Sequence, residues 1–283
     1  MKNTLTGTAF HFPAKVATAL KYVVLTMFSV TALFPFVWIL MSSFKDKYEL
    51  YGKPFSLPAV WQPGNYLNVW HTTKVGTNLL NSTMISVLSV GLILLLASMA
   101  AYVLSRVRPS KGMSLFFTLG IMIPVHAILI PTFILMKQLG LYDKQISLII
   151  IYTVSNLSLG IFILAGFMKT LPAALEDSAR IDGCSRDRTF FLIIFPLSKP
   201  GLATIGTLAF LNCWNEYLFA YVLIANPELK TLTQGIMALK GQYTYDFTSL
   251  CAGLIISIVP VVVAYMLFQE QVIKGMIAGA VKG

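Results

Sequence analysis

The sequence predicts an all-α integral membrane protein with six transmembrane helices, and three observations carry that prediction. Hydrophobic residues make up 57% of the 283-residue chain and charged residues only 11%, against about 25% charged in an ordinary soluble domain. A mean hydropathy of +0.76 leaves more apolar side chain than one soluble core of this length can enclose, so lipid has to cover the surplus. Six apolar runs, 19–41, 79–105, 114–136, 146–167, 202–224 and 249–269, are each long enough to cross a hydrocarbon core, which takes about 20 helical residues.

Taken in order, each run has its own punctuation. The first follows Lys2, His11 and Lys15, outlasts a signal-peptide core and has no small-x-small cleavage site after it, so it reads as a retained span. Pro35 lies inside it, Pro124 and Pro131 inside the third run and Pro260 inside the sixth. A proline removes a backbone donor and clashes one turn back, so each is a candidate kink, although for a single proline ordinary packing irregularity is the preferred reading. The two prolines of the third run mark it as a bent, path-lining helix. Asn81, Asn156 and Ser158 are polar positions within spans, where bonds between helices are the commoner use. Glu270 and Lys274 end the sixth run and snorkel toward the interface.

Charge sets the orientation. The chain carries 21 Lys and Arg against 11 Asp and Glu, an excess that suits topology-fixing loops better than nucleic acid. All five arginines fall after the second run (Arg106, Arg108) and after the fourth (Arg180, Arg186, Arg188), with Lys111, Lys169 and Lys199 beside them. Cations are retained on the cytoplasmic side, so these loops and both termini are expected there. Lys45, Lys47, Lys53 and Lys74 dilute the signal from the first opposite loop without reversing it. Of three cysteines, Cys213 and Cys251 lie in apolar runs and Cys184 in a polar loop, with no Cys-x-x-Cys. His11, His71 and His126 are too scattered to make a metal site, and no internal repeat or soluble domain is evident.

The loop 169–200 holds the densest charge and is too long for a simple connection. Pro172 suits a first helical position, Glu176 and Asp177 lie near the positive end of the helix dipole and Arg180 near the negative one. Gly183 takes the left-handed conformation that ends a helix, and Ser185 offers an N-cap for a second helix running to Phe195, broken by Pro196 and Pro200. Leu171, Leu175 and Ala179 share one face. Such a unit either lies on headgroups or fits a groove in a soluble partner, and periodicity leaves both open.

Within that loop, Asp177-Ser178-Ala179, Arg180-Ile181, Asp182-Gly183 and then Ile193-Ile194-Phe195-Pro196 resemble the EAA loop of permease subunits in binding-protein-dependent ABC importers. That family has Glu-Ala-Ala, two residues, Asp-Gly, then Ile-x-Leu-Pro. Here Asp177, Ser178 and Phe195 replace a glutamate, an alanine and the leucine, keeping charge, smallness and apolarity. Phe34-Pro-Phe-Val-Trp-Ile-Leu-Met-Ser-Ser-Phe-Lys45, Trp214-Asn-Glu-Tyr-Leu-Phe-Ala220 and the ending Ala278-Gly-Ala-Val-Lys-Gly283 extend the resemblance over nearly the whole chain. They are similar to the carbohydrate-uptake group that includes the second permease of the maltose transporter.

The resemblance implies the type I importer permease fold, one transmembrane permease domain over 1–283 with a coupling loop at 169–200 and a tail at 275–283. It implies that Glu176, Asp177, Ser178, Ala179, Arg180, Asp182 and Gly183 engage a cytoplasmic ABC ATPase dimer, with ATP and Mg bound there and no cofactor on this chain. A second permease subunit, an extracytoplasmic sugar-binding protein and lipid complete the expected partners, in a bacterial cytoplasmic membrane. In the maltose system the partner permease makes most of the sugar contacts.

Glu216 is the one acidic residue well inside a run, and a charge there is a functional candidate by default. Asn212, Trp214, Asn215 and Tyr217 surround it with amides and flat rings, so the five residues are expected to line the translocation path or a subunit contact. At about 1.5 Å per residue from Gly201, Glu216 falls in the outer half of its span, which favours a structural role for it. The chain lacks Gly-x-x-x-x-Gly-Lys-[Ser/Thr], His-Glu-x-x-His and Gly-x-Ser-x-Gly, which disfavours ATP hydrolysis or an intramembrane enzyme. A self-contained secondary transporter would show repeats and charged midplane residues. An importer permease, for a sugar or for another solute, fits best.

Overall fold

A computed structural model describes residues 14–239 and 246–280, and those residues are helices and connections throughout. Helix α1 (Ala14–Ser43) leads through two short helices, α2 (Lys47–Gly52) and α3 (Gly64–Thr72), into α4 (Val75–Tyr102), which ends in a π turn over Val103–Val107. Helices α5 (Lys111–Ile121) and α6 (Leu129–Gln138) flank a 3-10 turn at Val125–Ile128, and α7 (Gln145–Met168) follows. The charged loop forms α8 (Ala174–Ile181), α9 (Arg186–Thr189), a π turn at Phe190–Ile194 and α10 (Phe195–Leu197). Helices α11 (Lys199–Asn215), α12 (Leu218–Leu223), α13 (Leu232–Met237) and α14 (Phe247–Ala280) complete the order. Tail residues 275–280 continue α14, and 281–283 lie outside the described residues.

Among the described residues, four helices are long and apolar enough to cross a membrane, and two further pairs joined by sharp bends bring the number to six if each pair is one span. The core forms where α4 packs along α7 and α11 closes against both. Ile93, Ala97, Leu148, Leu164 and Ile205 are fully enclosed there. The approach is close because Gly160 of α7 faces Ala97, where an added Cβ would sit 3.0 Å from the alanine's own. By contrast, none of the spanning window of α1 is buried, and α1 packs chiefly on α14. Phe210 and Trp214 stack at 5.5 Å between α11 and a second small core that takes in Val69, Val75, Leu232 and Ile236.

The structure corrects several expectations about the prolines. Pro35 and Pro260 leave α1 and α14 unbroken. The third run is bent by 85° between its halves, and the break is at Pro124, whose extended ψ of 113° starts the 3-10 turn. Pro131 makes no break: it lies in the first turn of α6, where its missing N–H has no helical partner anyway. Pro196 does not stop the second loop helix. The run 186–197 continues through a π turn at Phe190–Ile194, whose wider spacing accommodates a ring that would clash with a carbonyl one turn back. The bend falls instead at Ser198, 74° from the axis of α11.

The fifth run, expected as one helix over 202–224, is two. Helix α11 stops at Asn215, Glu216 adopts an extended ψ of 130° and Tyr217 begins the turn into α12. Lys45 is also not the free loop cation that the orientation count supposed. It is buried, and its ammonium donates to the Lys53 carbonyl at 2.7 Å and to Pro54 O and Ser56 Oγ at 3.3 Å each. It is a strut that folds the 46–56 segment back onto the end of α1.

Candidate functional site

Two regions hold the expected site residues, at opposite ends of the α4–α7–α11 core. The first is α8 with its flanks. Glu176 and Asp177 occupy its first turn and Arg180 its last, in agreement with the helix dipole. The helix starts at Ala174, two residues after Pro172. It ends in a Schellman motif: Cys184 N–H donates to Ala179 O at 2.9 Å and Gly183 N–H to Arg180 O at 3.1 Å. Gly183 sits at φ +77°, where a side chain costs about 1 kcal/mol. Ser185 then accepts from Arg188 N–H at 3.4 Å as the N-cap of the next helix.

Of the seven residues expected to engage a partner, two turn inward. Ala179 is buried. Glu176 meets Arg106 across 3.3 Å in a pair nearly closed to solvent. Arg106 also donates from Nε to Met168 O at 3.0 Å and from Nη2 to Met168 O at 2.5 Å and to Leu171 O. One guanidinium thus bonds two carbonyls where α7 ends, Met168 O (which also accepts from Leu171 N–H at 3.2 Å) and Leu171 O, and grips the next helix as well. Asp177, Ser178, Arg180, Asp182 and Gly183 stay exposed, with Asp177 and Arg180 paired at 3.5 Å on the surface. Beside them Ile181 is 86% exposed, an apolar side chain left bare by the described residues.

The second region surrounds the break at Glu216. The carboxylate folds back to cap α12, Oε1 accepting from Phe219 N–H at 2.8 Å and Oε2 from Ala220 N–H at 3.1 Å. Tyr152 of α7 donates its phenol to Oε2 at 2.8 Å. Thr233 of α13 donates to the Glu216 carbonyl at 3.0 Å. Below the break, Asn212 donates to Asn156 Oδ1 at 2.9 Å and Asn156 to Tyr152 O at 2.8 Å, an amide chain that ties α11 to α7. These groups border a cavity of about 520 Å³ that also receives Val125 and His126 from the bend of the third run, with Ser155, Asn215, Tyr217 and Leu218.

The five residues expected around Glu216 therefore divide. Asn212, Asn215, Glu216 and Tyr217 border the cavity. Trp214 is buried on the other side of α11, stacked on Phe210 with its indole N–H donating to Ser257 O at 3.2 Å. Asn81 ties the start of α4 to the carbonyls of Glu228 and Lys230, at 2.8 and 3.0 Å. Sequence reasoning missed Tyr152, for which one spare hydroxyl in an apolar run gives no signal. It also read Arg106 as a topology marker alone, because the carbonyls it binds lie more than sixty residues away. The four-residue spacing of Tyr152 and Asn156 on one face of α7 was the available hint.

At the end nearest α3, Asp246 caps the start of α14, accepting from Thr248 Oγ1 at 2.8 Å, Ser249 N–H at 3.1 Å and Ser249 Oγ at 2.6 Å. Burial pushes its carboxyl up, but the Ser249 and Thr248 hydrogen bonds and the Lys47 charge together hold it below its ordinary value. No group of three metal-ligating side chains occurs among the described residues.

Residues 93–277, a stretch that contains α7, the α8 loop and the Glu216 break, match the profile of the binding-protein-dependent transport system inner membrane components. The chain belongs to that family. Curated relatives agree over nearly full length. The sulfoquinovosyl glycerol transport system permease protein SmoH of Agrobacterium fabrum is 36% identical, over 93% of this chain and 94% of its own. The diacetylchitobiose uptake system permease protein NgcG of Streptomyces coelicolor is 34% identical, over 90% and 85%. Among solved structures, a chain of a bacterial ABC transporter involved in import of the acidic polysaccharide alginate superposes with a TM-score of 0.75 at 25% identity, covering 93% of this chain and 99% of that one. The protein is a multi-pass transport permease, a membrane subunit that carries no catalytic function of its own. The EAA loop and its coupling helix are features of the family.

Proposed function

We propose that this chain is a permease subunit of an ATP-driven importer that moves a sugar or oligosaccharide across the bacterial cytoplasmic membrane. The observation that carries the reading is the near full-length match to relatives named for sulfoquinovosyl glycerol transport and diacetylchitobiose uptake. The working complex would pair this permease with a second one, a cytoplasmic ABC ATPase dimer holding ATP and Mg, and an extracytoplasmic sugar-binding protein. Each bent pair counts as part of one span in this reading, giving six spans, both termini cytoplasmic and one domain over 1–283. The five arginines, clustered at the α8 end, support that orientation.

Asp177, Ser178, Arg180, Ile181, Asp182 and Gly183 form the face offered to the ATPase. Glu176 and Ala179 hold that face to the spans, Glu176 through Arg106. A short amphipathic helix with a charged rim and one bare apolar side chain suits a protein groove better than headgroups, which would take a longer apolar face. Closure of the ATPase on ATP would move α8, and the Arg106 grip would pass that motion to α4 and α7. The π turns at Val103–Val107 and Phe190–Ile194 flank the moving unit and loosen the helical ladder there. The switch is a rigid-body change biased by ligand, which needs binding that differs between the two states.

The test is ATP-dependent uptake by the chain reconstituted with its partner permease, ATPase and binding protein, across a panel of oligosaccharides. Accumulation that requires ATP and this subunit supports the reading. Uptake that follows an ion gradient without ATP would replace it with a secondary transporter.

A further inference from the structure

The cavity beside Glu216 has a chemical character that the coupling surface lacks. Its polar lining is mostly amides and hydroxyls, from Ser155, Asn156, Asn212, Asn215, Tyr152 and Tyr217, with the His126 ring beside them. The one acidic residue in the lining is Glu216, and no lysine or arginine joins it among the described residues. Both Glu216 oxygens are already taken by the α12 N–H groups and Tyr152, so it offers a solute its charge with little accepting capacity left. The amides are only partly used. Asn215 spends one N–H on its own helix at Leu211 O, and Asn212 one on Asn156. Ser155, His126 and the Tyr217 hydroxyl make no hydrogen bond within the described chain. Tyr217 and Tyr221 pair at 5.5 Å beside the opening, and Tyr221 is exposed, so flat apolar rings flank the amides. The volume, about 520 Å³, is within the range of small-ligand sites, roughly 300–1,000 Å³.

We infer that this cavity is a contact site for an uncharged sugar, so that this subunit touches cargo itself and turns away sugars bearing a carboxylate or sulfonate. The inference rests on the sugar-import reading above and adds a charge rule to it. Amide and phenol groups match the paired donors and acceptors of vicinal hydroxyls, and the tyrosine rings match the C–H face of a pyranose. An anionic sugar would leave water for a site without lysine or arginine, facing a fixed carboxylate in a medium that screens poorly. Because a transport site at this end of α11 need only pass its cargo on, weak contacts of this kind suffice.

The experiment has two stages. Proteoliposomes carrying the full transporter are first assayed for ATP-dependent uptake of maltotriose, raffinose, diacetylchitobiose and arabinotriose, and of the mono-uronate of each made by oxidising one primary alcohol. The transported sugar and its uronate are then compared by saturation-transfer NMR on the purified permease–ATPase complex in nanodiscs, without the binding protein. The neutral sugar should receive saturation at least tenfold more strongly than its uronate. Asn215→Lys should bring the uronate within about threefold, and Tyr217→Ser should weaken the neutral signal severalfold by a route independent of charge. Transport of uronates alone, equal saturation of both forms, or signals indifferent to both substitutions would overturn the inference. Absence of ATP-dependent uptake for every sugar is a different result, and it would remove the import reading on which the inference rests.

Discussion

The α8 loop and the Glu216 cavity each contain a glutamate that the fold uses up, and they differ in what is left over. At α8, Arg106 takes Glu176, and three charged residues, Asp177, Arg180 and Asp182, remain outside with the bare Ile181, Ser178 and Gly183. At the other end of the core, Tyr152 and two backbone N–H groups take Glu216 and the groups left free are amides, hydroxyls and rings. Leftover charge with one apolar anchor is what a protein groove reads. Leftover neutral hydrogen-bonding groups are what a sugar reads. On the proposed function, force would enter at the first region and cargo would pass at the second; in both, the most conspicuous acid is tied up within the fold.

Substitutions break this comparison in order of size. Gly183→Pro should have the largest effect, because proline fixes φ near −65° where the native value is +77°. Uptake should fall to background while membrane levels of the subunit stay within about twofold, read by transport assay and immunoblot. Arg106→Ala should come next. It removes the guanidinium from the Met168 and Leu171 carbonyls and the ion pair from a nearly enclosed carboxylate at once, a loss of about 3 kcal/mol, seen as a lower thermal midpoint together with uncoupled ATPase activity. Glu216→Ala removes the α12 cap and the Tyr152 bond and should lower the midpoint by the equivalent of about 1–2 kcal/mol, without changing ATPase stimulation by the assembled complex.

The two smallest effects sharpen the contrast. Ile181→Ala touches nothing in this chain, so stability should stay within about 0.5 kcal/mol, yet ATPase association should weaken severalfold in a pull-down. Asp246 has its carboxyl held below the ordinary value. A depressed native value means that its ion-supported cap stabilises above the unfolded titration and is lost as pH falls through the native one. Stability measured from pH 7 downward should therefore hold until the ordinary carboxylate value is reached and fall from there down through the native one. Asp246→Asn should remove about 1 kcal/mol at neutral pH and flatten that acid limb.

How much of this was legible in the sequence depends on whether the cause is local. The apolar runs were legible because lipid tolerates no other backbone than a satisfied helix, and the same rule recovered α4 and α7 within a few residues. Gly183 was legible because a left-handed helix end calls for glycine. The break at Glu216 was not, since hydropathy stays high on both sides and is blind to a carboxylate turning back to cap the next turn. The 85° bend was foreseen in kind but was placed on two prolines when only Pro124 makes it. Helices α2, α3 and α13, at six to nine residues, are too short for periodicity to register. The roles of Arg106 and Tyr152 depend on partners more than sixty residues away, which no local window contains.

The division of labour between the two ends is tested most directly by measuring ATPase stimulation and uptake of two different sugars side by side for Ile181→Ala and Asn215→Lys in the reconstituted transporter. The account predicts that Ile181→Ala lowers stimulation and the uptake of both sugars by the same factor, whereas Asn215→Lys leaves the ATPase response intact and changes the ratio between the sugars. If Asn215→Lys lowers stimulation as much as Ile181→Ala does, or if Ile181→Ala shifts the sugar ratio, the two regions do not have separate roles and the account is wrong.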